Sequence, residues 1–203
     1  MKKNKSDKKK WTVIIVSAFI VFSMVISIFA IIIDNQNSGT LSYNKHSFIM
    51  TDTGFKTKIS GKYMDFYYYP SDIERINISS DIISKIQQSQ GIAFVFDPFD
   101  NVTDNLQYID VVRYEAQSQF DKPVYFGITA NSSNYALPIV DCGNATSAFP
   151  FIMIDTSNNA QGATFSISKD NPNCIIMNAR LKDLLAAKDR LVYTYYDIMT
   201  TNN

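Results

Sequence analysis

The chain has little glycine, little proline, two cysteines, one histidine and one tryptophan. Each shortage closes off a class of protein. Seven Gly and six Pro in 203 residues exclude a collagen-like repeat and a low-complexity linker. Two Cys are too few for a densely cross-linked mini-protein. With His46 as the one histidine, a zinc site lacks its usual four ligands, and no metal or cofactor is expected. Disorder is excluded from the opposite side, because 46 % of residues are hydrophobic. No glycine-rich phosphate loop follows a predicted strand, which argues against a nucleotide fingerprint. No G-x-S-x-G elbow accompanies His46, so it reads as a surface or edge histidine rather than a catalytic base. There is no internal repeat, and the length suits one domain with little to spare.

What is present begins with charge. Lys plus Arg equals Asp plus Glu at 19 each, yet residues 1–10 hold six Lys and one Asp, leaving a balance of −5 downstream. The basic head is therefore a local device. Trp11 and an uncharged run, Thr12 to Ile33, follow it directly. As a helix this run spans about 33 Å, enough for a hydrocarbon core of about 30 Å. Trp11 suits the headgroup level, and Lys-rich flanks stay cytoplasmic. The run is long for a cleaved signal peptide, and Ile28-Phe29-Ala30 is a poor cleavage site. A pilin-type leader would need a small residue at the charge-to-apolar junction, where Lys10-Trp11 stands. An uncleaved signal anchor fits best. The expected organisation is a basic cytoplasmic head (1–10), a single-pass transmembrane signal anchor (11–33), a short stalk (34–40) and an extracytoplasmic domain (41–203). The lipid bilayer is then one partner, through residues 11–33. The acidic remainder argues against nucleic acid as another.

In the outer segment, strands are expected over residues 41–50, 55–59 and 62–69, as an antiparallel meander that Pro70 stops. Ser80 is expected to cap a short helix with Ile82, Ile83 and Ile86 on one face. Ile92–Phe96 is a continuous apolar run, the pattern of a strand covered on both faces. A helix over about 104–119 and a strand over 124–129 complete a βαβ unit. Strands over 149–155 and 163–168 read as a hairpin, and 174–178 as a last strand. An amphipathic helix over about 182–199 closes the chain; Lys188 interrupts its apolar stripe and needs either an exit to water or a buried acid. The expected fold class is mixed α/β: an N-terminal transmembrane helix followed by one extracytoplasmic α/β sandwich with a mixed sheet.

The chemistry-bearing residues are few. Cys142 and Cys174 form an even pair in an oxidising compartment, which points to a disulfide. They lack the CxxC spacing of a redox pair. Asp97, Asp100 and Asn101 follow an apolar strand, where open α/β sheets bind ligands. Their oxygens suit a hard cation or a polar ligand, but the same residue types also build turns and caps. The run Phe66-Tyr67-Tyr68-Tyr69 offers either a stacking surface or core aromatics. Asn77, Asn101, Asn131 and Asn144 head N-x-S/T sequons, which permit glycosylation without requiring it.

Four stretches, IAFVFDPFDN, LPIVDCGNATSAFPFIMI, CIIMNA and AAKDRLVYTYYDIM, resemble uncharacterised archaeal proteins with one N-terminal membrane anchor and two cysteines in the outer domain. The resemblance covers residues 91–199. It implies the anchor and the disulfide and transfers no catalytic residue. No ordered set of nucleophile, base and stabiliser can be named. The leading expectation is therefore a membrane-anchored binding or assembly module with a membrane or cell-surface protein as partner. The alternatives are an anchored hydrolase using Asp97 and Asp100, and a pilin-like subunit.

Overall fold

A computed structural model of the chain describes residues 11, 14–27, 39–99, 103–157 and 162–201. The chain separates into two units, Met1–Thr40 and Leu41–Asn203. In the first, residues 14–27 form helix α1. Its large side chains, Ile14 through Ile26, are apolar and 42–72 % exposed. Ser23 and Ser27 turn their hydroxyls back onto the carbonyls of Ile20 and Ser23, both at 2.9 Å, so they present little free polarity. Among the described residues no helix is long and apolar enough to cross a membrane. The expected anchor, 11–33, lies only partly within them, and the basic head lies outside.

The second unit is a mixed α/β fold with two sheets, where a single mixed sheet was expected. The first sheet is a four-stranded meander of β1 (Thr40–Tyr43), β2 (His46–Thr51), β3 (Gly54–Ile59) and β4 (Lys62–Phe66). The expected strand over 41–50 is broken in two. Asn44 and Lys45 both take positive φ, 44° and 68°, which is the backbone of a tight hairpin turn. Asn44 also donates from its side chain to the Ile198 carbonyl at 2.9 Å. β4 ends at Phe66, earlier than Pro70 would impose. The amides of Tyr67 and Tyr68 leave the ladder and donate to the Asp189 carboxylate at 2.8 and 2.9 Å. At Gly54 a Cβ would stand 2.1 Å from the Phe66 carbonyl oxygen, so only glycine lets β3 and β4 meet there.

A 3-10 turn (Pro70–Ile73) leads to α2 (Ser80–Gln88). Ser79 rather than Ser80 is its cap, accepting from the Ile82 amide. Ile82, Ile83 and Ile86 are buried as their spacing predicts. The second sheet holds β5 (Ile92–Phe96), β6 (Val124–Ile128), β7 (Phe151–Asp155), β8 (Thr164–Ile167) and β9 (Cys174–Asn178), in the order β6-β5-β7-β9-β8. All its neighbours are parallel except β8, which runs antiparallel to β9. α3 (Thr103–Gln119) joins β5 to β6, completing the predicted βαβ unit. The expected hairpin of β7 with β8 does not form. β9 lies between them, and the hairpin is β8 with β9.

The last helix, α4 (Lys182–Tyr195), has no solvent face: Leu184 to Tyr195 are all buried. It packs along α3 and α2, and its Tyr193 stacks on Phe66 of the meander, with ring centroids 4.2 Å apart. One core runs from Phe48 and Phe66 through α4 to Ile92, Phe94 and Phe96. The opposite face of the second sheet has its own smaller core of Ala93, Val95, Phe151 and Cys174, roofed by Val140, Cys142 and Ala145. β5 is therefore covered on both faces, by helices on one and by the 131–148 loop on the other, and this is why it reads as unbroken apolar sequence.

Candidate functional site

At the carboxyl edge of the parallel strands the described acids Asp97 and Asp155 are engaged by their own neighbours. Asp97 is exposed, and its carboxylate accepts from the Phe99 amide at 2.9 Å. Asp100 and Asn101 lie outside the described residues. Asp155 accepts from the amide and hydroxyl of Ser157 and from Asn178, at 2.6–3.0 Å. Asn105 is fully buried and accepts from the Leu181 amide at 2.9 Å, tying α3 to the approach to α4. Among the described residues no three His, Cys, Asp or Glu gather to hold a metal. His46 begins β2, partly buried. Of the sequon asparagines, Asn77, Asn131 and Asn144 are exposed, and Asn101 lies outside the described residues. Asn144 also completes a capping box with Asp141 around a 3-10 turn.

The aromatic run after β4 points into the structure. Tyr67 donates to Glu115 at 2.9 Å and Tyr69 to the Ser42 carbonyl at 2.8 Å. Burial, reinforced by the Glu115 bond, pushes the Tyr67 hydroxyl up to about 12. Beside it sits Lys188, fully buried, 2.6 Å from both Glu115 and Asp189 and about 5.5 Å above the ring of Tyr67. Lys188 thus takes the buried acid that its place in an apolar stripe calls for. Burial raises the Asp189 carboxyl above its usual range, against the pull of Lys188 and the two backbone amides. This node joins α3, α4 and the end of β4. It is a fastening, closed to solvent except through Glu115, which is 21 % exposed.

Cys142 and Cys174 form the expected disulfide, with Cα atoms 5.3 Å apart. It holds the 131–148 loop to the start of β9. Asn171 works beside it, donating to the carbonyls of Cys142 and Ala145 at 2.7 and 2.9 Å. The loop then turns tightly at Thr146–Phe149, whose two ends exchange amide bonds at 3.1 and 3.2 Å. From there the Ala148 carbonyl accepts from Gln90 and Gly91, fastening the loop to the entry of β5. The end of α2 is fixed independently. Lys122 donates to the carbonyls of Ile86, Gln87 and Ser89 at 2.6–3.0 Å, a C-terminal cap supplied from before β6.

These fastenings frame a cleft of about 470 Å³ at the amino end of the parallel strands. Lys85, Gln88 and Gln90 form one wall; Ser147, Ala148 and Asn173 form the other. Lys85 is paired with Asp81 at 2.8 Å. The side chains of Gln88, Gln90, Ser147 and Asn173 make no hydrogen bond to other described residues. Outside this lining and next to Gly91, the rings of Tyr125 and of Phe149, which follows Ala148 in the chain, meet edge to face with centroids 5.8 Å apart. Both lie over Gly91, where a Cβ would come within 3.1–3.2 Å of them. Tyr125 is 51 % and Phe149 36 % exposed. A smaller cavity of about 200 Å³ lies between the 3-10 turn, the start of β8 and the start of α4, with Asp72, Arg75 and Asp183 on its walls.

The cleft residues were not singled out from the sequence. They come from three separated stretches, and each is an ordinary surface residue in its own stretch. The one available signal was Phe149, an aromatic set between a polar loop and Pro150. Comparison with known protein families, with curated proteins and with solved structures finds no match.

Proposed function

We propose that this chain is a membrane-anchored outer domain that works by binding. Residues 11–33 hold it in the bilayer with the Lys-rich head inside, and the cleft beside Tyr125 and Phe149 takes a ligand or partner at the membrane surface. The cleft carries this reading. Its volume falls in the range of small-ligand sites, about 300–1,000 Å³. Its walls are braced by a disulfide, a lysine cap and paired backbone, so little ordering is left to oppose binding. Four of its lining side chains, Gln88, Gln90, Ser147 and Asn173, are polar and uncommitted. The anchor is supported by a helix, α1, whose large side chains are apolar and exposed and whose Ser23 and Ser27 bond back to its own carbonyls, as lipid requires. A disulfide suits an oxidising outer compartment.

The test is site-specific photo-crosslinking in native membranes. A photoreactive residue replacing Gln90 is expected to yield a discrete adduct. The same residue replacing Tyr63, exposed on β4, is expected to yield none. Equal labelling at both positions, or none at either, sinks the binding reading. Intact mass of the same protein checks the anchor: a full N-terminus and no alkyl label before reduction are expected. A shortened N-terminus or two reactive thiols would count against it.

A further inference from the structure

We infer that the cleft lined by Gln88, Gln90, Ser147 and Asn173, with the Tyr125–Phe149 pair at its flank, binds a neutral oligosaccharide. The inference rests on the binding reading above and names the ligand class. Three observations converge on it. The polar lining consists of amides and a hydroxyl, groups that both donate and accept and so match the paired donor and acceptor character of sugar hydroxyls. The lining carries no unpaired charge, because Lys85 is held by Asp81, so nothing selects for phosphate, carboxylate or a cation. The aromatic pair is edge to face, which leaves ring surface uncovered, and Tyr125 is 51 % exposed. The negative face of such a ring attracts the polarised C–H groups of a pyranose.

An extended peptide fits less well. Peptide recognition at a sheet needs a free backbone edge. Here the amides of Gln90 and Gly91 are taken by the Ala148 carbonyl, and the Asn173 carbonyl is taken by Phe151. What the cleft lining itself leaves for a ligand is side-chain amides and a hydroxyl, with the rings next to it; the edge strand β6 lies outside that lining.

The experiment applies full-length protein in phospholipid nanodiscs, which carry no sugar headgroup, to an array of neutral and acidic glycans. Retention is expected on neutral glycans only. Titration with the best neutral glycan is then expected to lose about tenfold in affinity for Gln90→Ala and for Tyr125→Ala, the worth of one or two hydrogen bonds or one stacked ring. Tyr63→Ala is expected to bind as the parent does. Circular dichroism confirms that each variant folds. Retention of no glycan, retention of acidic glycans alone, or unchanged affinity in both cleft variants overturns the inference. If the array is blank while a photoreactive residue at position 90 captures a protein, the binding reading stands and the sugar assignment falls. If both are blank, both fall.

Discussion

Lys188 has no solvent-exposed side chain, yet it carries a charge between two acids and two aromatic rings. A buried ion pair contributes little compared with a well-packed apolar replacement, but breaking one half of it is costly. Lys188→Met removes the cation and leaves Asp189 buried with only its two backbone donors. The expected loss is about 3–5 kcal/mol of unfolding free energy, measured by urea denaturation. By contrast, Lys56→Met breaks a pair with Asp65 whose side chains are 39 % and 70 % exposed, and is expected to cost less than about 1 kcal/mol. At this scale the sequence is half legible. A lysine inside an apolar stripe announces that a partner is needed. It does not announce that Asp189 will also end a strand 121 positions earlier by capturing the amide of Tyr68.

Among the elements, those with a strong local period are the readable ones. Ile82, Ile83 and Ile86 mark α2, and the run Ile92–Phe96 marks a doubly covered strand. The failures have physical causes. The Asn44-Lys45 turn lacks the glycine that normally signals positive φ at the second position, so β1 and β2 read as one strand. The order β7-β9-β8 was hidden because β8 and β9 are each short and apolar enough to pair with either neighbour. The two cysteines, in contrast, could be paired from their even count and the outer compartment that was expected for them. Reduction, or the double replacement Cys142→Ala with Cys174→Ala, opens a loop with a sequence separation of 32. The expected loss is about 3–4 kcal/mol in the chain-entropy account. Urea unfolding with and without reductant measures it. Because the same loop forms one wall of the cleft, crosslinking from position 90 is expected to fall with it.

The molecule as a whole holds several tyrosines partly or wholly out of water, and this gives it a defined alkaline limit. Burial and a bond to Glu74 push Tyr43 up to about 12, and Tyr67 and Tyr196 are held near the same value. Burial raises Tyr193 and Tyr195 further still. In the unfolded chain these phenols lose their protons near 10, while the folded protein keeps them. The folded state then binds more protons than the unfolded one, so stability falls as pH rises. The contribution is complete below about pH 10 and is lost as pH climbs through 12. A joint titration of a variant in which the exposed Tyr63, Tyr114 and Tyr125 are replaced by Phe is expected to show tyrosinate absorbance and loss of ellipticity rising together in that window. Tyrosinate forming well before the ellipticity is lost would mean these hydroxyls are open to water.

The placement of α4 also sets a timetable. The meander is made first and β4 pairs with β3 locally, but the amides that follow β4 wait for Asp189, and the ring of Phe66 waits for Tyr193. Both arrive in the last quarter of the chain. The β2–β3–β4 ladder is local, but the end of β4 therefore stays unanchored until synthesis is nearly over. Under the anchored topology proposed above this is an advantage: a chain that lacks its final fastening stays threadable, and it would lock only once its last helix had crossed.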